Sequence, residues 1–159
     1  MVTTIDPEKL AQFLVKAKIV TYASGSDEFI VTPTLADSHQ LEYAEDNLLY
    51  RDIYYGGSHF IGMETVFQEE QPLWGMSYYG GVLPGSSETQ INRMPPFLKA
   101  ALREVPITSP YRGPASFKEG DFAYENEIHG EIVNFYGIET ISLMQQPIYQ
   151  LHYCGGMIK

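Results

Sequence analysis

Two periodicities divide the chain. Leu10, Phe13, Leu14 and Ala17 recur at helical spacing behind a start signal made of Asp6 as N-cap, Pro7 at the first helical position and Glu8 in the first turn. They predict an amphipathic helix docked on a sheet. A shorter helix is predicted from Pro95 to about Glu104, burying Phe97, Leu98, Ala101 and Leu102. Elsewhere apolar positions alternate with period two, the mark of half-buried strands. Trp74, Met76 and Tyr78 share one face, as do Tyr149, Leu151 and Tyr153, and all six read as core. Leu48, Tyr50 and Tyr54 make a second row, mirrored by Phe122, Tyr124 and Ile128. Asn47 and the glycine pairs at 56–57, 80–81 and 155–156 punctuate these runs, and residues 23–28 read as a loop.

The same patterns occur twice. Residues 60–83 set above residues 135–158, an offset of 75 without a gap, agree at nine of 24 positions: Phe60/Phe135, Gly62/Gly137, Glu64/Glu139, Thr65/Thr140, Gln71/Gln146, Pro72/Pro147, Tyr78/Tyr153, Gly80/Gly155 and Gly81/Gly156. Most other pairs exchange one apolar residue for another. With one residue of slippage Glu45, Tyr50 and Gly56 fall against Glu119, Tyr124 and Gly130. Residues 1–159 are therefore expected to form one α+β domain from an internal duplication. Each repeat, about 8–83 and 95–158, is a helix followed by three strands in a mostly antiparallel sheet, with 84–92 as the linker.

Composition narrows the function classes. Hydrophobic residues make up 44% and charged residues 19%, a globular balance. A formal charge of −10 with scattered basic residues argues against direct binding to nucleic acid. The single cysteine, Cys154, excludes an intrachain disulfide and suits a reducing compartment. No export leader and no membrane-spanning run is visible, so a cytoplasmic protein is expected.

The candidate chemistry centres on polar residues kept among apolar ones. Glu64 shares its period-two face with Phe60, Gly62 and Val66, and Glu139 shares its face with Phe135, Gly137 and Ile141. A carboxylate there is protonated, paired or turned toward a cavity. The pair reads either as exposed or structurally ion-paired side chains, or as ligands or general bases in a pocket. Asp52, with Asn126 as its counterpart, poses the same choice. Tyr54, Trp74 and Tyr78 are candidates to line a cleft, against the plainer reading of core aromatics. Tyr111-Arg112-Gly113-Pro114 reads as a surface turn, or as a site where Arg112 binds an anion. Motifs for nucleophilic hydrolases, phosphate-binding loops and zinc peptidases are missing, and His39, His59, His129 and His152 stand isolated, so no catalytic residue, metal or cofactor is assigned.

Tyr50-Arg51-Asp52, Tyr55-Gly56, Phe60-Ile61-Gly62 with Glu64, Trp74, Tyr79-Gly80-Gly81, Tyr111-Arg112-Gly113-Pro114 and the closing Tyr153-x-Gly-Gly together resemble a bacterial family of uncharacterised domains. The resemblance runs from Tyr22-Ala23-Ser24-Gly25 onward. It implies a domain that also occurs behind helix-turn-helix modules in transcriptional regulators, although this chain offers only one helix before its strands begin.

Three functional readings follow. The leading one is a small-molecule-binding or sensing domain with its site at the seam between the repeats, lined by Glu64, Glu139 and aromatics. The second is a hydrolase or isomerase using Glu64 or Glu139 as general base. The third is an interaction module, a homodimer included, that uses exposed strand edges.

Overall fold

A computed structural model describes residues 5–159; residues 1–4, part of the segment read above for an export leader, lie outside them. Helix α1, Pro7–Lys18, starts as expected, with the Asp6 side chain accepting from the Glu8 amide. It runs on through a π-helical turn, Ile19–Ala23. Four strands follow: β1 His39–Glu45, β2 Leu48–Gly56, β3 His59–Gln68 and β4 Gln71–Val82. Helix α2, Glu88–Arg103, leads into four more: β5 Ser116–Glu119, β6 Phe122–Glu131, β7 Asn134–Leu143 and β8 Gln146–Met157.

All eight strands form one antiparallel sheet in the order β1-β2-β3-β4-β8-β7-β6-β5. Each helix is thus followed by four strands where three were expected. The additional ones, β1 and β5, are the two edges. An edge strand is paired on one side only, and β5 is four residues long, too short to display an alternation. Helix α2 begins inside the expected linker, because Ser87 and Gln90 form a capping box there. Pro95 and Pro96 then sit inside the helix, where each removes a backbone donor.

The strand order reads the same from either edge, and the register makes the symmetry local. At the centre, β4 pairs with β8 so that Tyr78 faces Tyr153, the two residues that the offset of 75 equates. Strand irregularities recur at Val66/Phe67 and at Ile141/Ser142, again 75 apart. Both helices cover one face, where Leu10, Leu14, Phe97 and Leu98 meet Tyr50, Trp74, Tyr124, Tyr149 and Leu151 in a single core. Burying these side chains contributes about 1.5–3 kcal/mol for each large aliphatic one. The opposite face leaves Ile61, Met63, Tyr79 and Tyr136 exposed. No helix among the described residues is long and apolar enough to cross a membrane.

Candidate functional site

Among the described residues five charged side chains are buried, Lys18, Asp52, Glu64, Arg112 and Glu139, with Lys18 bonded to Glu64 and Arg112 to Glu139. Period-two geometry explains half of the arrangement. Asp52 on β2 and Glu64 on β3 are register partners, so their side chains lie side by side on the helix-covered face. Asn126 on β6 and Glu139 on β7 are register partners in the same way.

The glycines explain the next step. Tyr78 of β4 must cross β3 to reach β2, and it passes over Gly62, where an added Cβ would lie 2.3 Å from the tyrosine oxygen. Its hydroxyl donates to Asp52 Oδ1 at 2.6 Å. Tyr153 passes over Gly137 in the same manner, and its hydroxyl donates to Asn126 Oδ1 at 2.7 Å. The shared Gly-x-Glu of β3 and β7 is therefore a gap for a tyrosine ring beside a carboxylate.

The halves then diverge. Glu139, 0% exposed, is saturated: Arg112 Nη2 donates to Oε1 at 2.5 Å and Nε to Oε2 at 3.1 Å, while the hydroxyls of Tyr149 and Tyr124 donate at 2.8 and 2.7 Å. The Gly113 amide donates to the Tyr124 oxygen, and Asn126 Nδ2 donates to the Gly113 carbonyl, which fixes the loop that carries Arg112. Burial works against the guanidinium charge, but Glu139 more than offsets it and holds Arg112 well above its ordinary pKa. This is a closed structural pair.

The first half is less complete. Glu64, 3% exposed, pairs with Lys18, whose ammonium also donates to the Tyr111 carbonyl at 2.8 Å. Position 74 carries a tryptophan where the second half has Tyr149, and its indole N–H donates instead to the Ile132 carbonyl at 3.1 Å. Burial pushes the Lys18 pKa down, against the pull of Glu64. Asp52 is 4% exposed and has no salt-bridge partner among the described residues; its hydrogen bond comes from Tyr78. Burial, then the neighbouring Glu64 charge, push its carboxyl up to about 7.

A cavity of about 210 Å³ opens over this incomplete half. Asp52, Glu64, Lys18 and Arg112 supply its polar wall; Tyr22, Tyr50, Tyr54, Phe60, Tyr78 and Tyr111 supply rings. Helix α2 contributes Met94, Pro95, Leu98 and Leu102, so elements from both sides of the chain's midpoint enclose it. Burial raises the Tyr22 hydroxyl to about 12.

Of the residues singled out from the sequence, Asp52, Glu64, Tyr54, Tyr78 and Arg112 line this cavity. Glu139 and Trp74 do not. Glu139 is sealed beneath Arg112, and Trp74 is fully buried, its ring stacked on Phe135 at 5.7 Å. Arg112 is no surface turn; it is buried, and the anion it holds is Glu139. Lys18, Tyr22 and Tyr111 line the cavity as well, outside the candidates that the sequence marks. A signal for Lys18 was present: it follows Leu10 and Leu14 at i+4 steps, a charge on the apolar stripe of α1.

A family model described as a domain of unknown function (DUF5680) matches residues 52–158. The match takes in Asp52, Glu64, Arg112 and Glu139, and leaves Lys18 and Tyr22 upstream of it. No curated protein matches the chain, and no solved structure does.

Proposed function

We propose that this chain, which belongs to the DUF5680 family, is a small-molecule-binding or sensing domain whose ligand occupies the cavity beside Asp52 and Glu64. The observation that carries this is the contrast between two related polar clusters. One is saturated by its own arginine and tyrosines; the other keeps a carboxylate without a cationic partner and lies against an aromatic-lined space. A few fixed polar groups in a concave apolar wall are the usual composition of a ligand site.

We read the chain as one domain of two repeats produced by duplication, in which the first supplies the carboxylate without a cationic partner and the second helps to enclose the cavity through Leu98, Leu102 and Arg112. Resemblance to domains carried behind helix-turn-helix modules accords with a sensing role. The test is a thermal-shift screen of metabolites and aromatic compounds on the parent chain and on Leu98→Trp, which fills the cavity. A ligand at about 100 times its dissociation constant adds roughly 2.7 kcal/mol to the stability of the parent. The expected result is a hit that Leu98→Trp abolishes; hits that persist in the filled variant reject the cavity as the site.

A second reading draws on Asp52 alone. A carboxyl at about 7 beside a tyrosine hydroxyl is suited to proton transfer near neutral pH. Turnover of a bound compound, lost in Asp52→Asn while binding persists, would favour an enzyme.

A further inference from the structure

We propose that the cavity selects organic monocations: ligands with one ammonium or protonated-nitrogen group on an apolar body about the size of a single substituted aromatic ring. This rests on the binding reading above and names the ligand class.

The first argument is a charge count. Among the described residues the buried charges are two cations, Lys18 and Arg112, and three carboxylates, Asp52, Glu64 and Glu139. Arg112 is committed to Glu139 through two hydrogen bonds, and Lys18 to Glu64. Asp52 is left over. In the second half the corresponding position is Asn126, which accepts from its tyrosine in the same way but carries no charge. The surplus negative charge is thus specific to the half that holds the cavity.

A buried carboxylate without a counterion costs several kcal/mol. It is met by a proton or by a cation. Burial and the neighbouring Glu64 charge raise the Asp52 pKa to about 7, which favours the first solution below that pH, and a ligand ammonium beside Asp52 supplies the second by displacing that proton. A neutral ligand leaves the proton in place and gains at most a neutral hydrogen bond from Asp52, which an asparagine there can equally supply. An anion, even with Asp52 protonated, adds a third negative charge to those of Glu64 and Glu139 against two positive ones.

The walls suit the same chemistry. Rings of this cluster already lie under the protein's own cations, Tyr50 under Lys18 at 5.8 Å and Tyr78 under Arg112 at 5.7 Å. Aromatic faces attract desolvated cations. Size sets the rest: an apolar cavity of roughly 150 Å³ accommodates benzene, so about 210 Å³ admits one ring and a short substituent.

Three probes of one shape and different charge test this by calorimetric titration: phenethylammonium, phenethyl alcohol and phenylacetate, against the parent, Asp52→Asn and Leu98→Trp. Phenethylammonium is expected to bind the parent more tightly than the other two. Its affinity should fall about thirtyfold or more in Asp52→Asn, the loss typical of removing one partner of a buried charge pair, while the affinity of the alcohol stays unchanged. Its binding heat below about pH 7 should vary with the buffer's ionisation enthalpy, because the proton of Asp52 is released. Should Asp52→Asn fail to fold by circular dichroism, the probe ranking and the proton release on the parent decide.

Alcohol or phenylacetate binding as tightly as phenethylammonium overturns the monocation class and leaves the cavity reading standing. The same holds for ammonium affinity that survives Asp52→Asn. No binding by any probe overturns the class as well, and a broad screen whose hits persist in Leu98→Trp separately removes the cavity.

Discussion

Tyr78 reaches Asp52 across an intervening strand, its hydroxyl 2.6 Å from the carboxylate, because Gly62 leaves the space for its ring. Tyr153 reaches Asn126 across Gly137 by the same construction. The two tyrosines face each other at the centre of the sheet. One site therefore serves as an internal control for the other.

Asp52→Asn is expected to fold and to be more stable than the parent at neutral pH and above, since it installs the amide that the second half already has. The Asp52 pKa is raised from 3.8 to about 7 in the folded chain, so between these values the folded state retains a proton that the unfolded state has released. Stability falls as pH rises through that window, and the cost is fully present above it. With about 1.4 kcal/mol for each pH unit, the effect is on the order of a few kcal/mol at most. Thermal melts should show the advantage of Asp52→Asn widening from about pH 4 to about pH 7; a difference that does not change with pH would exclude Asp52 as its source.

Arg112→Leu is expected to cost about 3–5 kcal/mol, because it strands the Glu139 carboxylate with only tyrosine hydroxyls for partners. Adding Glu139→Gln should recover much of the loss, since the unpaired charge is then gone. Urea unfolding of the two single variants and the double variant measures the coupling, and simple additivity would rule out the pair as a unit.

Lys18→Met removes the cation that offsets Glu64 and leaves two adjacent carboxylates buried. A loss of about 3–5 kcal/mol is expected at about pH 8, and a smaller loss at about pH 5, where protonation relieves the charge. A chemical denaturation series across pH checks the trend; a loss equal at both ends would point to packing of the lysine stem instead.

Gly62→Ala should displace the Tyr78 ring from Asp52 and destabilise the fold by about 1–3 kcal/mol. Gly137→Ala should cost more. Its new Cβ would meet the Glu127 carbonyl oxygen at 2.7 Å as well as the Tyr153 ring, and backbone yields less readily than a side chain. Paired melting curves give the order, and the near-ultraviolet circular dichroism of the tyrosines reports whether the rings have moved.

Local pattern in the sequence was enough for α1, the long strands and the equivalence of residues 60–83 with 135–158. Capping residues, period-two alternation and repeated glycines are short-range signals that act before any tertiary contact. It was not enough for β1 and β5, whose pairing on one side imposes little alternation, or for the start of α2, where a capping box stood in a stretch rich in loop residues. The candidate site was legible in part. Two glutamates on apolar faces pointed to burial, and the contrast of Asp52 with Asn126 was visible in the alignment of the chain with itself.

Only the tertiary structure decided what the two glutamates became. Each follows a glycine by two positions and precedes a threonine, and both are buried. Yet Glu139 received an arginine from a loop 27 residues away in the chain, and Glu64 a lysine from a helix 46 residues away. A tyrosine closes one site, and a tryptophan that bonds elsewhere leaves the other open. The sequence by itself determined which positions face inward, because side-chain direction follows backbone period. Which inward charge is neutralised, and where a cavity remains, depend on groups brought together from distant segments, and those are fixed by packing alone.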